Sequence, residues 1–155
     1  MTTGTDKSKE LTASISLIND KLHFMGTAGI NSPVSIDYTP PLGDNLGYTS
    51  LELLLLSVSS CIGSSVLTLL RKMKKTITGC EISSTGIRKQ EHPTGFSSIT
   101  IEIILFSPDT GDAELTRVIN LSEETYCPVW SMLKGNVEMH VNHQIVTAPV
   151  TPSHV

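Results

Sequence analysis

The 155-residue chain is poor in the residues on which several function classes depend. Aromatic side chains are scarce, with three Phe, three Tyr and one Trp. The core must therefore be aliphatic, and there are few platforms on which nucleobases could stack. There is no basic excess: 11 Lys and Arg stand against 15 Asp and Glu, for a net charge of −4. That argues against a nucleic-acid partner, which calls for a positive footprint. Charged residues of all kinds make up only 17%, below the usual quarter or so. The three Cys form an odd set without a C-x-x-C spacing, which excludes a simple disulfide scaffold and a zinc ribbon. No glycine-rich phosphate loop opens a helix, and no Ser-His-Asp arrangement follows from spacing. No apolar run follows the polar segment Met1 to Glu10. A signal peptide is therefore not expected, and the cytosol with free thiols is the expected location. No cofactor or metal is expected.

A chain of this length can bury enough surface to fold without staples. One domain over residues 1–155 is expected, ordered over about 11–147, with loose tails at 1–10 and 148–155. Leu11, Ala13, Ile15 and Leu17 alternate with polar residues and predict a half-buried strand. Leu22 to Met25 predicts its hairpin partner, broken by Gly26 and Gly29, and residues 34–38 predict a third strand. Thr49-Ser50-Leu51-Glu52 has the form of a capping box and opens a long helix to about Lys74. Within it, residues 53–70 carry no charge, close to the length of a membrane span. Six Ser and Thr in that stretch favour a buried helix of a soluble domain instead, and no membrane partner is expected. Cys80, Ile82 and Ser84 share one strand face, and Ile99, Ile101, Ile103 and Leu105 share another, joined as a hairpin through Lys89 to Gly95. Asp112 is placed to cap a second helix, with an apolar stripe of Leu115, Val118, Ile119, Ser122 and Tyr126. Pro128 interrupts it, so Cys127 falls at a helix junction. A short helix follows to Gly135, and Val137, Met139 and Val141 alternate into a last strand. Three strands, a long helix, a hairpin, a broken helix and a strand make an α+β fold. So long an apolar helix is hard to cover within one chain, which points to a homodimer.

Three thiols are candidates for chemistry. Cys61 sits mid-helix among Ser59, Ser60, Gly63, Ser64 and Ser65, either as a core thiol or where a ligand can approach a shallow surface. An unperturbed thiol is only about 3% thiolate at pH 7, so a reactive Cys61 needs a cation or donor nearby. Cys127 is placed at the N-cap of the helix opened by Pro128, where backbone amides are expected to lower its pKa. Cys80 reads as a core residue. His140 and His143 lie three apart on a strand and point to opposite faces, so they do not share a metal.

Two segments carry a more specific signal: Thr49-Ser50-Leu51-Glu52-Leu53 running on to Ser59-Ser60-Cys61, and Glu123-Glu124-Thr125-Tyr126-Cys127-Pro128-Val129. With the hairpin Glu91-His92-Pro93-Thr94-Gly95-Phe96 between them, the sequence resembles the OsmC/Ohr family, osmotically induced protein C and the organic hydroperoxide resistance proteins, in its OsmC-like branch. The resemblance implies a two-layer OsmC-like fold with antiparallel sheets around a long buried central helix, assembled as an intertwined homodimer. It also implies a thiol-dependent peroxidase. In that reading Cys61 is the peroxidatic and Cys127 the resolving Cys, organic hydroperoxides are the substrates, and a dithiol of lipoyl type is the reductant. The family's peroxidases carry a Glu where this chain has Leu51, and an Arg in the N-terminal strands, whereas here Arg occurs only at 71, 88 and 117. Lys21 is the cation available to those strands, although a point charge does not replace a bidentate guanidinium. A low rate is therefore expected. A small-molecule-binding dimer without turnover and a thiol redox switch are the alternatives.

Overall fold

The computed structural model describes residues 10–147; the loose tails expected at either end lie almost wholly outside the described residues. The chain packs as two compact units, one up to Leu53 and the other from Leu54.

The first unit is an antiparallel sheet in the order β1 (Ala13–Leu17), β2 (Phe24–Ala28), β3 (Val34–Ile36). Asn19 makes the β1–β2 turn: its side-chain oxygen accepts from the amides of Lys21 at 3.0 Å and His23 at 3.1 Å, the local bonding that makes Asn a turn former. Gly26 does not break β2, as its sequence context suggested, but lies buried within it, paired with Ile15 and Val34. A Cβ there would already touch Ile36, Val34 and Ile15, so the neighbouring side chains close over the space that a bare backbone leaves. Gly29, at φ +62°, is where the strand stops. The third strand is shorter than expected because Asp37 leaves the ladder. Its carboxylate is fully buried and accepts from three loop amides: Tyr38 at 2.8 Å, and Asp44 and Leu46 at 3.1 Å each. That carboxylate organises the segment leading to the long helix.

α1 (Ser50–Lys72) opens with the capping box read from the sequence. The Thr49 hydroxyl accepts from the Glu52 amide at 3.3 Å, and the Glu52 carboxylate takes the Thr49 amide at 3.0 Å. At its C-terminus the helix closes with a pair of reversed bonds, Lys74 amide to Arg71 carbonyl and Lys75 amide to Leu70 carbonyl. This closure places Lys74, not a glycine, in the left-handed region at φ +60°. Val58, Ile62, Val66 and Leu70 recur at i+4 and are wholly buried, whereas the opposite side of the helix is part-exposed, with Leu56 51% exposed. α1 is long and apolar enough to cross a membrane by length and composition alone.

In the second unit the sheet order is β4 (Gly79–Arg88), β5 (Phe96–Phe106), β6 (Glu138–Val146). β4 and β5 form the expected antiparallel hairpin, but β6 runs parallel to β5. The second sheet is thus mixed rather than antiparallel, because β6 arrives by a helical crossover and not by a hairpin. The crossover is α2 (Asp112–Leu121), a π-helical turn (Ser122–Tyr126) and α3 (Pro128–Leu133). Gly111, rather than Asp112, occupies the cap of α2: its amide is held by Glu114 at 2.9 Å, and Asp112 is already helical. Ile99, Ile101, Ile103 and Leu105 bury one face of β5 and form the core with Leu115, Val118 and Ile119 of α2. Ser122 extends that stripe, whereas Tyr126 is 54% exposed and does not. α1 lies close on β4. Ser59 donates to Ser84 at 2.8 Å, Ser84 donates to the Leu55 carbonyl at 3.2 Å, and any side chain at Gly63 would run into Ile82.

A candidate thiol site at a helix junction

Cys61 is held on α1 by a helix made of unusually small residues. Their hydroxyls fold back onto the helix itself: Ser64 donates to the Ser60 carbonyl at 2.6 Å and Ser65 to the Cys61 carbonyl at 3.1 Å. The apolar helix thus carries hydroxyls without leaving them unpaired, and the surface around Cys61 stays low. Cys61 is partly exposed.

The crossover brings Cys127 into place. After α2 the backbone takes one wider turn, closed by the Cys127 amide on the Ser122 carbonyl at 2.8 Å. This i to i−5 bond inserts one residue relative to α-helix spacing. Cys127 then adopts extended backbone at φ −92° and ψ 102°, as a residue before proline should. It is the N-cap of α3, and its Sγ accepts the Trp130 amide at 3.4 Å. The thiol is 2% exposed.

Cys61 is one of the groups that act on the titration of Cys127, which is pushed up to about 11. Burial is the largest cause and Cys61 the next; the amides of Trp130 and Val129 pull the other way and lose. The sequence expectation that the helix end lowers the Cys127 pKa is therefore corrected. The amides are where they were expected, but a thiol this deeply buried loses more from desolvation than two amide dipoles return.

Cys80 is half-buried rather than core. It shares its strand face with Ile82 as expected, but with Ser59, Gly63 and Arg71 it borders a groove of about 370 Å³. Burial first, and then Glu81, raise its pKa. Lys21 is committed to Asp44 at 2.6 Å, and the Glu52 carboxylate is committed to Thr49. His140 and His143 do not share a partner: His140 pairs with Glu138 at 2.9 Å and His143 with Asp112 at 2.8 Å. Among the described residues no His, Cys, Asp and Glu cluster could hold a metal ion. The sequence did not reveal the π-helical turn. A proline directly after Cys127 was the signal for the junction, but nothing local announces a wider turn.

Comparison with known proteins gives a consistent family. The family model "OsmC-like protein" matches residues 43–142, a span that contains both thiols. Protein YhfA of Escherichia coli is 31% identical over 98 residues, covering 63% of this chain and 73% of that one. Among solved structures, an OsmC-like protein from Mycoplasma pneumoniae superposes with a TM-score of 0.75 at 20% identity, over 91% of this chain and 99% of that one. The organic hydroperoxide resistance protein OhrB of Bacillus subtilis gives 0.61 at 16% identity, over 87% and 98%. At those identities the two structures share its fold.

Proposed function

The chain belongs to the OsmC/Ohr family, which includes the organic hydroperoxide resistance proteins, and on that premise we propose that it is a thiol-dependent peroxidase that reduces organic hydroperoxides. The observation that supports the reading is a pair of free thiols within the family span, a part-exposed Cys61 on α1 and a buried Cys127 at the cap of α3, with Cys61 among the groups that raise the Cys127 pKa. The Cys61 thiolate attacks the outer oxygen of the hydroperoxide. The O–O bond breaks, Cys61 becomes a sulfenic acid, and the alkoxide leaves as alcohol after taking a proton from solvent. Cys127 sulfur then attacks the sulfenic sulfur; a disulfide forms and water leaves. A dithiol of lipoyl type exchanges with that disulfide and returns both thiols. The substrate is alkyl rather than hydrogen peroxide because Cys61 sits on a helix that carries no charge from Leu53 to Leu70. No cofactor or metal enters this cycle, and the cytosol supplies the reducing environment it needs.

The assembly proposed with it is a homodimer. Ile15 is 59% exposed, Leu17 54%, Leu46 57% and Leu11 75%. A three-stranded sheet with such a surface needs cover, and a second copy supplies it. The test of the chemistry is one equivalent of cumene hydroperoxide followed by peptide mapping without reduction. A Cys61–Cys127 cross-link that is absent in Cys61→Ser, with cumyl alcohol released in equal amount, is the expected result. Both thiols recovered free after prolonged exposure would remove the peroxidase reading in favour of a binding protein. A cross-link that no dithiol reverses would leave only a one-time thiol switch.

A further inference from the structure

We propose that the groove beside the C-terminal half of α1 is a binding site for an anionic amphiphile, a single alkyl chain with one carboxylate head: Lys72 and Tyr126 take the head, and the chain lies along α1 towards Cys61. The proposal goes beyond the peroxidase reading and does not depend on it, because a ligand seated there covers Cys61 whether or not that thiol turns over.

The groove is built on the same stripe of helix as Cys61. Cys61, Ser65, Thr68 and Lys72 recur at i, i+4, i+7 and i+11 on α1, the spacing that sets residues on one face. Ser64, Ser65, Thr68, Leu69 and Lys72, with Tyr126 of the crossover, line about 250 Å³ of space. That is below the range of roughly 300–1,000 Å³ usual for small-molecule pockets and suits one chain with a small head. The floor has little to offer a polar ligand. The Ser64 and Ser65 hydroxyls give their protons to the carbonyls of Ser60 at 2.6 Å and Cys61 at 3.1 Å, and Leu69 is apolar. Tyr126, 54% exposed, supplies an aromatic ring to the groove one residue before Cys127.

The charge of the ligand follows from what stands at the far end. Among the described residues Lys72 has no ion pair, whereas Lys21 is paired with Asp44 and Lys75 with Glu114. Helix side chains lean back over the preceding turn. The Lys72 ammonium is thereby carried towards Thr68 and away from the last carbonyls of α1, whose dipole would oppose an anion. Tyr126 adds a hydroxyl that can donate. The lining holds no carboxylate, and Glu124 borders a separate groove on α2. From Lys72 back to Cys61 is about 16 Å of helix at 1.5 Å per residue. A ligand held by its head at Lys72 therefore needs a long alkyl body to reach the thiol.

The experiment is iodoacetamide alkylation at one fixed pH, read peptide by peptide by mass spectrometry with no peroxide present. The probe is sodium dodecanoate below its micelle threshold. Dodecanoate should slow Cys61 alkylation in a saturable way and leave Cys80, which borders the neighbouring groove of Arg71, unprotected. Acetylation of Lys72 should slow in parallel, with Lys74 as the internal control. Acetate, which has the head without the chain, and dodecyltrimethylammonium, which has the chain with the opposite charge, should protect neither residue at the same concentration. Lys72→Gln, at an exposed position, should weaken the apparent affinity for dodecanoate several-fold, the size expected of a solvent-exposed charge contact. Lys72→Arg should keep most of that affinity, and Tyr126→Phe should lose less than Lys72→Gln. Each variant is compared with its own rate without ligand. Protection of neither Cys61 nor Lys72 by dodecanoate overturns the proposal. So does equal protection by the ammonium probe, or a Lys72→Gln that binds as the wild type does. Protection of Cys80 ahead of Cys61 would place the ligand in the Arg71 groove and overturn the assignment. Protection of Cys61 in a chain that forms no peroxide-induced cross-link would leave this site standing and discard the peroxidase reading alone; the reverse would discard this site alone.

Discussion

The two compact units bury different things. Up to Leu53, the buried residues among those described are Gly26, Asp37 and Gly43. From Leu54 on, an aliphatic set is buried that runs from Val58 on α1 through β5 to Ile119 on α2. One unit is organised by a carboxylate and its loop amides, with its large apolar side chains left at the surface; the other is organised by an apolar core. A domain that closes its own core has no need to leave Ile15 and Leu17 half-exposed on one face of a short strand. The difference teaches that the apolar core of the single chain lies in the second unit, and that the first is where the homodimer proposed above would supply cover.

The sharpest way to break this contrast is a pair of substitutions. Ile101→Ala, at a wholly buried position of β5, should cost about 2–5 kcal/mol through lost burial and the cavity left behind. In a chain of this size that lowers the melting midpoint by roughly 5–15 °C. Ile15→Asp, at a position 59% exposed on β1, should change the melting of the isolated chain far less and instead move the light-scattering mass from two copies to one. Equal thermal losses for the two variants would show that both units rest on the same core. A mass unchanged by Ile15→Asp would remove β1 from the dimer interface.

What the sequence made legible followed from local rules. The Thr49–Glu52 capping box, the β4–β5 hairpin, the buried face of β5 and the extended backbone at Cys127 all depend on residues a few positions apart, and all are present. What it hid depended on partners distant in sequence or on net balances. Gly26 looked like a strand breaker because its neighbours Ile15 and Val34 come from other strands. The Cys127 pKa went up rather than down because burial, the largest cause, comes from tertiary packing, while only the amides belong to the local motif. β6 alternates like any strand, and alternation says nothing about direction.

The second prediction concerns the polar anchor. Asp37 is buried, which by itself raises a carboxyl pKa, but the amides of Leu46, Tyr38 and Asp44 outweigh that and hold it below the usual value of 3.8. A depressed folded-state pKa means stabilisation that is present above the unfolded value and is lost as pH falls through the folded one. The loop amides of Tyr38, Asp44 and Leu46 should therefore be protected from hydrogen exchange at pH 5 and above, and lose protection only as pH falls below 3.8 and through the depressed folded-state value. Asp37→Asn should weaken it at every pH, because its N–H₂ donor would stand against at least one of the three N–H groups now bound. Protection that survives Asp37→Asn would mean that the loop is held by something other than this carboxylate.

The smallest effect has the opposite sign and lies in the second unit. Lys74 ends α1 in the left-handed region at φ +60°, where a side chain costs about 1–2 kcal/mol and glycine costs nothing sterically. Lys74→Gly removes that strain but also loosens the unfolded chain, which returns about 0.5–1 kcal/mol, and it removes a cation near a helix C-terminus, worth about 0.3–1 kcal/mol when exposed. Lys74→Ala separates these contributions, because it loses the charge and keeps the strain. Lys74→Ala should melt slightly below the wild type. Lys74→Gly should melt above Lys74→Ala by about 2–4 °C, the equivalent of about 1 kcal/mol. If glycine gives no advantage over alanine, the reversed bonds from Lys74 and Lys75 to Arg71 and Leu70 do not fix the helix end in solution. The closure of α1 would then be a frayed turn, in contrast to its well-capped start at Thr49.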